Sequence, residues 1–209
     1  LPLDVATLGA DLVALGAHKF EGPKGTGALW IRRGTHILAQ QHGGSQERHR
    51  RAGTENVAGA VGMALAYELT VAERPTTVAR LAVLRERLAA AVLAVDGVEL
   101  TSHPPDRLPG LLSVIVRGVD GASVAVSLDL AGIAGSVGSA CGTGSAEGSP
   151  VLSAMGHPAD EARGALRFSL GRTTSDAEID EAARVVPGVI ERFSLAAPAL
   201  ALDPLGQGV

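Results

Sequence analysis

The 209-residue chain has one cysteine, Cys141, so it can form no intrachain disulfide and the sequence points to a reducing compartment. Aromatic residues make up only 2%. Ala, Leu, Val and Gly must therefore fill the core, although the hydrophobic fraction of 46% is large enough to build one. There is no broad basic stripe and the net charge is −4, which argues against nucleic acid as a direct partner. The one short basic cluster, Arg48-His49-Arg50-Arg51, reads as a solvated loop. No apolar stretch is long and uninterrupted enough to span a membrane, and no basic-then-apolar secretory signal opens the chain. A cytoplasmic location with no membrane partner is the expectation.

Apolar spacing predicts short buried strands at residues 12–15 and 28–31, with a glycine-rich loop between them. Thr54 suits a helix N-cap, with Val57, Val61, Ala64, Leu65 and Leu69 following at helical spacing. Pro75 is expected to start a second helix with Val78, Leu81, Leu84, Leu88 and Val92 on one face, ended by Asp96-Gly97. Strands are predicted at 98–100, 111–116 and 165–170, and helices at 123–130 and near 150–155. Ser175-Asp176-Ala177-Glu178 is a capping box opening a last helix, which Pro187 should kink or end. Strands alternate with helices, so the class is α/β. A boundary is expected near Arg74-Pro75, dividing residues 1–74 from a smaller α+β domain at 75–195, and residues 196–209 read as a loosely ordered tail.

Two residues stand out chemically. Lys19 sits at the end of an apolar run, beside the loop Gly22-Pro23-Lys24-Gly25-Thr26-Gly27. An amine so placed is either an ordinary hairpin lysine or, with its pKa lowered, a group that forms a Schiff base with a carbonyl cofactor. The loop is not a nucleotide loop, because its lysine does not follow the GxxxxGK[ST] pattern. Cys141 lies in Gly138-Ser139-Ala140-Cys141-Gly142-Thr143-Gly144, a setting too glycine-rich for a packed structural cysteine. It is either incidental or a nucleophile. His36, His42 and His49 lie close in sequence but far from the cysteine, and no metal site is expected.

Four segments together resemble the cysteine desulfurases, pyridoxal-phosphate enzymes of the class V aminotransferase type and fold type I. They are Ala17-His18-Lys19-Phe20-Glu21-Gly22-Pro23-Lys24-Gly25; His42-Gly43-Gly44-Ser45-Gln46-Glu47-Arg48 running on through Arg51-Ala52-Gly53-Thr54-Glu55-Asn56; Gly138-Ser139-Ala140-Cys141; and Leu166-Arg167-Phe168-Ser169-Leu170-Gly171-Arg172. They fall in the family's order and at similar spacings, and the resemblance covers nearly all of this chain as the C-terminal half of such an enzyme. It implies the end of a fold type I large domain at 1–74, followed by the small C-terminal domain.

The resemblance also implies roles. Lys19 would be the Schiff-base lysine for pyridoxal 5'-phosphate, His18 would approach the cofactor, and Thr54 would reach the phosphate held by a neighbouring subunit of a homodimer. Arg167 would clamp the carboxylate of the substrate, L-cysteine. Cys141 would take its sulfur as a persulfide, leaving L-alanine, for transfer to an acceptor protein in iron–sulfur assembly or tRNA thiolation. Gly16 stands where the family usually has a phosphate-binding serine. The aspartate and glutamine that meet the cofactor ring would lie upstream of Leu1, and Asp4 does not match them. Other readings are a selenocysteine lyase, an aminotransferase-like relative, or a non-catalytic remnant that dimerises or binds sulfur-transfer partners without turnover.

Overall fold

The computed structural model describes residues 2–103, 105–137 and 149–201, with side chains described as far as residue 195. The chain divides into two compact units, Leu1–Pro75 and Thr76–Val209.

In the first unit, strand β1 (Leu12–Gly16) pairs antiparallel with β2 (Gly27–Ile31), Leu12 opposite Ile31 and Gly16 opposite Gly27. The two strands lie where the apolar runs predict them, but they are not buried: Leu12 is 45% exposed and Leu29 50%. A 3-10 turn, Ala17–Phe20, leaves β1. Ala17 is fully buried and anchors the connection, donating from its N–H to Thr26 O and accepting at its carbonyl from the Gly22 N–H. A Cβ on residue 22 would stand 2.9 Å from the Ala17 Cβ, so only glycine lets the loop close this tightly. Further on, α1 (Gln46–His49) is a single left-handed turn, with φ of 50°, 56° and 62° at Glu47, Arg48 and His49.

Helix α2 runs from Val57 to Val92 and passes through Pro75 without a break. The two helices expected from the sequence are therefore one. Its cap is Asn56, whose side-chain oxygen accepts from the Gly59 N–H, and not Thr54 two residues earlier. The helical stripe Val57, Val61, Leu65 and Leu69 is present but solvent-facing, each residue being more than half exposed.

The second unit holds the core. Strands β3 (Val98–Leu100), β4 (Leu111–Val116) and β5 (Ala165–Ser169) form an antiparallel sheet in the order β3-β4-β5. Leu112, Val114 and Val116 of β4, with Leu166 and Phe168 of β5, pack against Leu81, Leu84, Leu88 and Val92 of α2, Val124 and Leu128 of α3 (Gly121–Leu130), and Val186, Val189 and Ile190 of α6 (Asp176–Ala201). Val78, expected on the same α2 face, is 36% exposed at its edge. On the opposite side of the sheet, Ile115 and Ala165 form a smaller cluster with Leu152 of α4 (Pro150–Ala154) and Ala162 of α5 (Ala159–Ala162). Because β4 is covered on both faces, its sequence Leu-Leu-Ser-Val-Ile-Val is nearly continuously apolar instead of alternating. Among the described glycines, Gly164 enters β5 under the tightest constraint: a Cβ there would lie 1.9 Å from the Val116 carbonyl oxygen, which belongs to the residue whose N–H bonds Gly164 O.

The helix ends follow local chemistry. The Ser175 N–H donates to Glu178 Oε2 at 2.7 Å and the Glu178 N–H donates to Ser175 Oγ at 3.2 Å, the reciprocal pattern of a capping box. Arg87 of α2 binds Asp176 and Asp180 of α6, each at 2.8 Å. α6 continues through Pro187 to Ala201, so Pro187 does not end it.

Leu84→Ala should cost about 2–5 kcal/mol, since it empties a site that is 1% exposed at the centre of this core; the urea midpoint of unfolding measures it. Asp120 caps α3, its carboxylate accepting from both the Ser123 hydroxyl and N–H, and these bonds hold its pKa below the usual carboxylate value. A lowered folded pKa stabilises the fold above the unfolded value of about 4 and loses that effect as pH falls through the folded value. Asp120→Ala should therefore lower stability by about 1 kcal/mol at neutral pH. The gap to the parent should narrow in denaturation curves taken progressively below pH 4.

Candidate active site

The hairpin connection puts His18 and Lys19 side by side on the 3-10 turn, both exposed. The turn is held from beneath by Ala17 and from one side by Phe20, whose ring meets Tyr67 edge-on at a centroid distance of 6.1 Å. Among the described residues, Lys19 enters no ion pair and its amine makes no hydrogen bond.

A second feature of the first unit is an open cleft of about 680 Å³. Its walls include Thr26, Arg51, Thr54, Asn56 and Tyr67. Thr54 is thus in the cleft, while Lys19 and His18 are not among its lining residues. Thr26, Arg51 and Thr54 all line the cleft, and the Thr26 hydroxyl is buried with no hydrogen-bond partner. A guanidinium, an exposed hydroxyl and an orphaned buried hydroxyl form a donor set suited to a phosphate. The cleft offers groups of the kind a phosphate takes and the Lys19 turn offers an amine of the kind a carbonyl cofactor takes, but the structure does not gather them in one cavity. The left-handed α1 turn supplies one wall through Glu47. Three successive non-glycine residues in that conformation cost about 1–2 kcal/mol each. The Gln46 side-chain oxygen, accepting from the Gly53 N–H at 3.2 Å, helps to hold it. Arg51, from the basic cluster expected to be a solvated loop, lines this cleft, and the glycine-rich loop brings Thr26 to it.

Arg167 lies in the second unit, at the middle of β5 and opposite Ser113 of β4. Leu166 and Phe168 on either side are buried in the main core, which leaves Arg167 on the other face, with Ile115 and Ala165. Its main chain is bridged to Ser136, five residues before Cys141. Cys141 itself lies outside the described residues.

The chain matches the aminotransferase class-V family over residues 1–182. It is 43% identical over 198 residues to a cysteine desulfurase IscS of Methanosarcina thermophila, covering 95% of this chain and 49% of that protein. It is 45% identical over 203 residues to an IscS-like cysteine desulfurase of Mycobacterium tuberculosis, covering 96% and 52%. Among solved structures, a NifS-like protein superposes with a TM-score of 0.81 at 32% identity, over 92% of this chain and 49% of that one. The chain therefore spans about half the length of the curated relatives it matches.

Gly16 adopts extended φ and ψ of −109° and 119°, which any residue tolerates. A Cβ there would stand 3.2 Å from His18 Cε1, the movable end of a side chain. Gly16→Ser should fold normally and, in the complete enzyme, tighten pyridoxal-phosphate binding by about tenfold through one added hydrogen bond to a charged group. Absorbance titration with the cofactor reads the change.

Proposed function

The chain belongs to the aminotransferase class-V family, and on that premise we propose that it is the C-terminal portion of a pyridoxal-phosphate-dependent cysteine desulfurase. The observation that carries this reading is the unengaged amine of Lys19, fixed on the Ala17-anchored turn, in a chain 43% identical to such an enzyme over nearly its whole length.

Lys19 and His18 hold the cofactor of their own subunit, and Thr54 reaches the phosphate held by a second copy, with Arg51 and Thr26 beside it in the cleft. The exposed apolar stripe Val57, Val61, Leu65 and Leu69 in the same unit supports a homodimer. When bound, pyridoxal phosphate supplies the electron sink for bond breaking at the substrate amino acid. Arg167 takes the carboxylate of L-cysteine as a bidentate pair and so orients the substrate sulfur. The Cys141 thiolate attacks that sulfur. A sulfur–sulfur bond forms as the substrate carbon–sulfur bond breaks, and the electron pair left on carbon takes a proton, releasing L-alanine. Lys19 is the proton carrier. The persulfide on Cys141 then passes to an acceptor protein of iron–sulfur assembly or tRNA thiolation. Among the described residues no helix is long and apolar enough to cross a membrane, and the lone cysteine suits a cytoplasmic site of action.

In the complete enzyme, Cys141→Ser should stop persulfide formation while leaving the cofactor's visible absorbance intact, whereas Lys19→Ala should abolish that absorbance. Mass spectrometry after incubation with L-cysteine checks the first, and a spectrum the second. Release of sulfide and alanine by Cys141→Ser at the parent rate would replace the thiolate mechanism with a lyase-type elimination.

A further inference from the structure

In an antiparallel strand a residue's N–H and C=O point to the same edge, and successive residues alternate between edges. Leu170, just past β5, donates to Gly110 O at 2.7 Å, so the even-numbered residues here turn their polar groups toward β4. Arg167 turns the other way. Its N–H donates to Ser136 O at 2.8 Å, and its carbonyl accepts from the Ser136 N–H at 3.0 Å. The Ser113–Arg167 pairing with β4 is consequently a non-hydrogen-bonded one, and the Ser113 carbonyl accepts instead from the Thr101 N–H, at 3.0 Å, on the β3 side. Both main-chain hydrogen bonds of Arg167 therefore go to one residue outside the sheet.

Ser136 is itself well rooted. Ile133 and Val137 on either side pack against the main core, the Ile133 N–H caps the end of α3 at Leu128 O (2.9 Å), and Gly135 lies against the Phe168 ring. Ser136 is thus the outer rail of a clamp whose inner rail is β4, with Arg167 between them.

We propose that Ser136, acting through its main chain, is the positioning residue for Arg167. It fixes the backbone orientation from which the guanidinium meets the substrate carboxylate, and the inference rests on the role given to Arg167 above. Without the bridge, the N–H and C=O of Arg167 lose their partners, and this point of β5 is held in the sheet only through the pairing of Leu166 and Phe168 with β4. A carboxylate clamp displaced in this way weakens substrate capture.

The test compares three variants in the complete enzyme and one measurement on the unsubstituted enzyme. Ser136→Pro removes the N–H of the bridge and should raise KM for L-cysteine about tenfold with kcat within about twofold. Ser136→Ala keeps both bonds and should return KM to within about twofold of the parent. Arg167→Ala should raise KM at least as much as Ser136→Pro. A raised KM in Arg167→Ala with a parental KM in Ser136→Pro overturns the positioning role alone; a parental KM in Arg167→Ala overturns the reading of Arg167 and the proposal with it. Ser136→Pro can fail to fold, so hydrogen exchange on the unsubstituted complete enzyme gives an independent arm. The Arg167 amide should be protected to the level of its β5 neighbours, and exchange at the rate of an unstructured amide overturns the bridge.

Discussion

Burial of β4 on both faces is the constraint on which the second unit depends. Leu112, Val114 and Val116 must be covered on one side and Ile115 on the other, and full burial of each such side chain is worth about 1.5–3 kcal/mol. The long helices α2 and α6 with α3 supply the first cover; the short α4 and α5 supply the second. Strand β5 is placed by the same demand, since its alternation sends Leu166 and Phe168 to the thick layer and Ala165 to the thin one. Arg167 follows from this arithmetic of faces. It is a charged residue on a buried strand, set on the same side as Ile115 and Ala165.

The first unit is built on a different principle. Ala17 is its one buried apolar side chain among the described residues, and main-chain hydrogen bonds around a closed loop do the work that packing does elsewhere. Such a unit holds the Lys19 turn rigidly over a few residues while leaving a helical apolar stripe in solvent.

What the sequence made legible was local. The Ser175–Glu178 capping box is readable because both bonds lie within four residues, and the β1, β3 and β4 strands are readable because their apolar runs are short and bounded by turn residues. The errors came where tertiary context outweighs a local rule. Pro75 removes one helical hydrogen bond, a loss of about 3 kcal/mol. Leu81, Leu84, Leu88 and Val92 are buried just beyond it, and packing of that order keeps the helix continuous. Pro187 is carried through α6 in the same way by Val186, Val189 and Ile190. Thr54 and Asn56 are both good caps, and nothing in the local pattern chooses between them. The bridge from Ser136 to Arg167 links residues 31 apart in sequence and has no signature at all. The candidate site was legible as a set of residue types, while the cleft that gathers Thr26, Arg51 and Thr54 was not.

Gly164 has a bearing on how this chain can vary. Every single-base change of a glycine codon that yields another residue adds at least a Cβ, and here that atom would land inside the Val116 carbonyl oxygen. Neither partner can yield cheaply, because both are backbone and the same two residues share a hydrogen bond. The position is closed to mutational drift, although it sits three residues from Arg167 and touches no substrate. A glycine fixed so close to a candidate binding residue would look functional in any comparison of relatives. Its fixity is steric, and constancy near a site in this fold is not by itself a sign of chemistry.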